Sequence, residues 1–208
     1  MKNLKRVFVA ILVTIMATTM LVACGAPKTS PEESTKIFLN VLLKNDKTNM
    51  DKIGLKENDY TKFRKEFEDG MTQGFSSSGL DEKILTEEVK NNFKNDILKG
   101  LTKLEYQVTL VSKDQKTAKV EVKIKGFDLK KISTDSATKL QEEYTANPAM
   151  TQTEIYKESF KLVGQGIADG ILTQDEKTVT LTLTNENNTW IPGENDITAL
   201  VTVIMQMQ

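Results

Sequence analysis

The sequence predicts an α+β fold: an antiparallel sheet of about four strands packed against helices, with a helical hairpin inserted between strands. Three observations carry the prediction. Apolar residues recur at helical spacing between residues 30 and 100, strict alternation replaces that spacing around 104–124 and 178–191, and helical spacing returns between those two stretches. The composition agrees, because 208 residues with 38% hydrophobic and 27% charged side chains exclude collagen-like, disulfide-rich and wholly disordered chains.

The chain opens differently. Lys2, Lys5 and Arg6 are followed by an uncharged run from Val7 to Met20, the form of a secretory signal. A membrane-spanning anchor needs about 20 consecutive apolar residues, and Thr14, Thr18 and Thr19 dilute this run. The run closes on Leu21-Val22-Ala23-Cys24-Gly25, which resembles the lipobox of bacterial lipoproteins. That resemblance implies cleavage between Ala23 and Cys24 and a diacylglyceryl group on Cys24. The implied address is the extracytoplasmic face of the cell membrane in a bacterium of Gram-positive type, with the bilayer as partner. Two buried acyl chains, at about 0.8 kcal/mol per methylene, anchor a protein stably where one exchanges. The organisation expected is thus a signal peptide over 1–23, a lipidated cysteine and short tether over 24–29, and one α+β domain over 30–208.

Cys24 is the only cysteine, so the exported part has no internal disulfide and no thiolate metal site. Removing the three basic residues of the signal from 28 leaves 25 against 29 acids, a net charge of −4. Nucleic acid is therefore not the expected partner, since phosphate backbones are met by basic faces.

Ser30-Pro31-Glu32-Glu33 reads as a helix start, with Ser30 as cap, Pro31 at the first helical position and Glu33 placed for a capping box. Ile37, Phe38, Val41 and Leu42 give this helix one apolar face, and it should end near Asn45. A second helix is expected from about Asn58 to Met71 through Tyr60, Phe63 and Phe67, followed by a loop over Phe75–Gly79. A third begins around Asp81 or Thr86 and closes at Lys99-Gly100. Leu104, Tyr106, Val108 and Leu110 then alternate with polar residues, Lys113-Asp114-Gln115-Lys116 turns the chain, and Ala118, Val120, Val122 and Ile124 complete a hairpin buried on one face.

Between about 130 and 172 lies the expected helical insertion. Ser133 or Thr134 starts one helix that runs to about Tyr144, Asn147-Pro148 breaks it, and Thr151-Gln152-Thr153-Glu154 is a capping box for the next. Val179, Leu181 and Leu183 mark a third strand, which Asn185–Asn188 turns into a short Thr189-Trp190-Ile191 strand. Asn195-Asp196 should cap a closing helix with Ile197, Leu200, Val201 and Ile204 on one face.

The opening Ser30–Leu39 segment, the closing Thr180–Thr184 and Thr189-Trp190-Ile191 strands, and the order of elements between them resemble small Gram-positive lipoproteins that carry a domain of unknown function. Those proteins have a nuclear-transport-factor-2-like, or cystatin-like, fold. The resemblance implies a curved sheet wrapped around a helix, with a cone-shaped space that serves for binding, catalysis or core. The helical pair at 130–172 departs from the simplest form of that fold.

No histidine occurs, which removes the commonest general base and the commonest zinc ligand. Glu87-Glu88 and Glu142-Glu143 are neighbours on expected helices, where adjacent side chains diverge by about 100°, so neither pair converges on a reaction centre. Gly164-Gln165-Gly166 lacks both the preceding strand and the following Lys-Ser/Thr of a phosphate loop, and reads as close helix packing. No catalytic residue, metal ligand or cofactor is expected. The reading is a non-catalytic binding or interaction module for a small molecule, a peptide or an envelope partner. The alternatives are an envelope enzyme using carboxylate, Lys or Tyr chemistry, and a structural or assembly role. Tyr106, on the apolar sheet face with a large apolar body and a polar tip, and Trp190, a lone tryptophan near the sheet mouth, are the candidate ligand-contacting residues; the alternative for Trp190 is a place in the core, and for Tyr106 a packed ring with its hydroxyl at the surface.

Overall fold

A computed structural model describes residues 27–76 and 81–205. Four antiparallel strands form one sheet in chain order, β1 (Tyr106–Lys113), β2 (Thr117–Ile124), β3 (Lys177–Glu186) and β4 (Thr189–Pro192). Six α-helices accompany it among the described residues: α1 (Pro31–Lys44), α2 (Glu57–Ser76), α3 (Glu87–Leu101), α4 (Leu129–Ala146), α5 (Gln152–Ala168) and α6 (Glu194–Ile204). The expected α+β class and the helical hairpin between the second and third strands are both present.

Helix α1 starts where the sequence places it, with the Ser30 hydroxyl accepting from the Glu33 N–H at 3.2 Å, and ends on Asn45 in the left-handed region (φ 56°). The expected capping box is half made, because the Glu33 carboxylate pairs with Lys52 at 3.3 Å. Burial is wider than the single face expected. Leu39, Leu42 and Leu43 are buried along with Ile37 and Val41, since α1 is central, lying against β1, β2 and β4. Packing begins already at Thr29, which is buried, its hydroxyl 2.6 Å from that of Ser34.

A 3-10 turn over Met50–Ile53 links α1 to α2. Helix α2 buries Tyr60, Phe63, Phe67 and Met71, a strict three- and four-residue recurrence, and runs to Ser76, five residues beyond the expected end. The loop expected over Phe75–Gly79 is therefore helical at its first two residues, and its remainder lies outside the described residues. Helix α3 takes the later of its two expected starts, with Thr86 capping the Val89 N–H.

The core face of the sheet carries Val108, Ala118, Val120, Val122, Ile124, Val179, Leu181 and Leu183, all buried with α1, α2 and α6 in one cluster. Leu110 departs from the expectation. It stands on the same face opposite Val120, yet is 36% exposed, because β1 is an edge strand and the ladder shifts register between Leu110 and Ser112. Val111 is the extra residue of this bulge and is 55% exposed. At the other side of the sheet, Asn187 and Asn188 both adopt positive φ (51° and 64°), the two-residue turn that matches strand twist, and so join β3 to β4.

The hairpin of α4 and α5 is rooted where β2 ends and β3 begins. Asp128 N–H bonds Ile171 O at 2.9 Å and Thr173 N–H bonds Gly126 O at 2.9 Å. Helix α4 begins at Leu129, earlier than expected, since Asp128 accepts from the Lys131 N–H at 2.9 Å and supplies the cap assigned to Ser133 or Thr134. Helix α5 has the complete Thr151–Glu154 capping box. It lies along α3 at very short range: a Cβ on Gly100 would stand 2.3 Å from Ile167 O, and one on Gly164 2.5 Å from an Asp96 carboxylate oxygen. The Gly164-Gln165-Gly166 segment is thus helix packing, as read from the sequence.

Helix α6 begins at Glu194, two or three residues earlier than an Asn195 or Asp196 cap would allow, because Gly193 occupies the cap position. Asp196 sits in the first turn, and its carboxylate is committed to the sheet.

Candidate functional site

Alternation places Tyr106 on the core face at the first position of β1, paired with Ile124. Its phenol donates to Asn40 Oδ1 of α1 at 2.5 Å, and Lys44 Nζ lies 5.3 Å from the ring centroid. Burial first, and the negative charge of Asp46 second, push its hydroxyl up to about 12. The polar tip proposed to orient a ligand is therefore already bonded within the fold, and it is neutral at physiological pH. Asn40 could not be singled out from sequence, because it interrupts an apolar helix face without any motif around it.

Trp190 lies at the opposite end of the same face. Its indole is 3% exposed, and Lys113 Nζ stands 5.4 Å from the ring centroid, a cation–π arrangement. The indole N–H is buried and has no hydrogen-bond partner among the described residues. Lys113 reaches Trp190 because of the bulge at Val111. In the regular alternation of β1, residue 113 belongs to the outer face. The extra residue turns Lys113 to the core side, opposite Ala118, whose small side chain leaves the path to Trp190 open. Nothing in the sequence announces a bulge at Val111, so this contact was not legible.

Tyr106 and Trp190 do not converge. They flank the sheet end to end: Tyr106 and Lys113 pair with Ile124 and Ala118 of β2, and the six steps between those partners at ~3.3 Å each separate the two environments by about 20 Å. Cys24 and Ala23 lie outside the described residues.

The carboxylate pairs behave as solvated or structural groups. Glu87 pairs with Lys90, Glu142 and Glu143 are exposed, Glu154 closes its capping box, and Glu158 pairs with Lys161 at 2.6 Å. Hydrogen bonds from the Thr151 backbone and hydroxyl hold the Glu154 carboxyl below its ordinary range. Asp96, pressed against Gly164, is pushed the other way by burial, with Asp169 adding to the rise and Lys99 opposing it. Among the described residues no group of three or more His, Cys, Asp or Glu side chains is arranged to hold a metal ion, and no helix is long and apolar enough to cross a membrane.

A four-stranded sheet closed by α1 and α6, with a helical hairpin between its second and third strands, defines an α+β module. The family called Domain of unknown function (DUF5105) matches residues 21–205, and the chain belongs to that family. No curated protein matches it. Among solved structures, the crystal structure of ycdA, a candidate lipoprotein of Bacillus subtilis, has a TM-score of 0.68 with this chain at 23% identity. The match covers 85% of this chain and 56% of ycdA, so the chain spans little more than half that relative's length and the likeness is one of fold.

Proposed function

We propose that this protein is a lipoprotein held by Cys24 at the extracytoplasmic face of the cell membrane, where it works as a non-catalytic binding or interaction module. The observation that carries the reading is Leu21-Val22-Ala23-Cys24 at the close of an uncharged run that follows Lys2, Lys5 and Arg6. The family match supports it by beginning at residue 21 and so taking in the lipobox. The description of ycdA as a candidate lipoprotein points the same way. A non-catalytic role is supported by the lack of any histidine and by the commitment of Glu154, Tyr106 and Asp196 to contacts within the fold.

Cys24→Ser tests the anchor. In cells fed a tagged fatty acid, the parent protein should carry the tag and partition with membranes, and the variant should lose the tag and lose membrane retention. A variant that remains tagged would remove Cys24 as the acylated residue.

A further inference from the structure

We infer that the end of the sheet carrying the β1–β2 and β3–β4 turns rests against the lipid headgroups, while the α4–α5 hairpin is rooted at the far end. The inference rests on the reading of Cys24 as the lipid anchor and adds a direction to it.

Four contacts locate the start of α1. Glu33, in its first turn, pairs with Lys52 of the 3-10 turn, and a Cβ on Gly54, which follows that turn, would meet Thr189 Oγ1 at 3.5 Å. Thr189 opens β4, directly after the Asn187-Asn188 turn. At the other end of α1, Asn40 and Lys44 meet Tyr106, the first residue of β1. The helix therefore enters at the turn end of the sheet and leaves at the end where β1 begins and β2 stops. Lys113 over Trp190 confirms that the β1–β2 turn shares the entry end with β4.

The chain that joins this end to the bilayer is short. Thr29 is buried, and five residue steps separate it from Cys24, at most about 17 Å when fully extended. The hairpin root, at Gly126–Asp128 and Ile171–Thr173, stands beyond the opposite end of β2, about 23 Å further along the sheet. A tether shorter than the sheet holds the turn end near the surface. The groups exposed there, Lys28, Gln115 and Lys116, suit contact with headgroups rather than insertion. The Asp114 carboxylate in the same turn is engaged by the N–H groups of Lys116 and Thr117 and by the Thr117 hydroxyl, each at 2.7 Å. Charge does not select this end, because Asp51 and Glu186 also lie there; tether length does. Beyond its root the hairpin packs on itself and, through α5, on α3 rather than on the sheet, and from Ala137 to Lys161 no residue is buried, so its tip is not folded back over the sheet toward the anchor.

Because Cys24 is the only cysteine and would be consumed by the lipid, a second cysteine gives a unique labelling site. Gln115→Cys, in the β1–β2 turn, and Ala149→Cys, at the hairpin tip, are each made in the full-length protein and labelled with the same fluorophore. The purified lipidated proteins are mixed with vesicles of equal parts phosphatidylglycerol and phosphatidylcholine, a fraction of the phosphatidylcholine carrying a headgroup nitroxide. Both should float with the vesicles, and the nitroxide should quench the Gln115→Cys probe at least threefold more than the Ala149→Cys probe. Flotation with equal or reversed quenching would overturn the orientation alone. Failure of both proteins to float would overturn the anchor and the orientation together.

Discussion

The Asp196 carboxylate accepts the backbone N–H of Thr182 at 2.6 Å, and the Thr182 carbonyl accepts from Gly193 N–H at 3.1 Å. Strand β4 pairs with β3 only from Leu183 to Glu186, so Thr182 is the first residue past the ladder with both edge groups unmet. The opening turn of α6 meets them. This is how a four-residue strand suffices: the helix that follows takes over the edge, and its Ile197, Leu200, Val201 and Ile204 are drawn onto the core.

Asp196→Ala should therefore lower stability by about 1 kcal/mol, the scale of a hydrogen bond to a charged group discounted for the exposure of Thr182. Asp196→Asn keeps an acceptor and should lose about half as much. Urea unfolding followed by circular dichroism measures both, and equal losses for the two variants would mean that the bond to Thr182 is not what Asp196 contributes.

A second expectation concerns the contact between α3 and α5. Alanine is preferred to glycine inside a helix by about 1 kcal/mol, so propensity alone predicts that Gly100→Ala stabilises α3. The structure predicts the reverse. The new methyl would lie 2.3 Å from the Ile167 carbonyl oxygen, a backbone atom that moves only if α5 moves. Overpacking of this kind costs about 1–3 kcal/mol, enough to outweigh the helical gain. A rise in the thermal midpoint of Gly100→Ala would sink this account of the packing.

These two contacts also mark what the sequence could and could not tell. Element type and order were legible because Tyr60-Phe63-Phe67-Met71 repeats at helical steps and Val120-Val122-Ile124 alternates, and each pattern fits one geometry only. The β3–β4 turn was legible in place but not in extent: of the expected Asn185–Asn188, Asn185 and Glu186 still pair within β3, and only Asn187 and Asn188, which tolerate positive φ, make the turn. The Leu110 exposure, the Lys113–Trp190 contact and the Asp196–Thr182 bond were not. Each depends on a bulge or on the meeting of segments far apart in the chain, and local periodicity carries no trace of either. For the candidate site the same holds: Tyr106 and Trp190 were placed on the right face, but Asn40 and Lys113, which engage them, arrive from elsewhere.

Tyr106 gives an expectation at high pH. Removing its hydroxyl in Tyr106→Phe leaves Asn40 Oδ1 without its donor and should cost about 1 kcal/mol at neutral pH. The folded phenol is pushed up to about 12, whereas an unfolded tyrosine ionises near 10. Because the fold favours the neutral phenol, its contribution is fully present below pH ~10 and is lost as pH rises toward about 12. The stability difference between parent and Tyr106→Phe should thus shrink across that window. An ultraviolet titration should also show a late-ionising tyrosine in the parent that is missing from the variant.

Asp96 and Asp114 should respond to acid in opposite directions. Burial against α5 raises the Asp96 carboxyl, so the folded protein binds that proton more tightly than the unfolded chain does. Its contribution is fully present below the ordinary aspartate value of about 3.9 and is lost as pH rises through the higher folded value, leaving a small net penalty at neutral pH. Asp96→Asn should therefore stabilise the neutral protein by about 0.5 kcal/mol or less, since much of the group remains screened by water. The gain should vanish near pH 3. Asp114 is held low, chiefly by the Thr117 hydroxyl and then by the backbone N–H groups of Thr117 and Lys116, so its contribution is present at neutral pH and is lost on acidification. Asp114→Asn should destabilise the neutral protein and differ less from the parent as pH falls. Urea midpoints of the parent and both variants, taken from pH 7 down to pH 3, measure the two slopes. If the Asp96→Asn and Asp114→Asn differences moved in the same direction with pH, the burial of Asp96 against Gly164 would not be the cause of its shift.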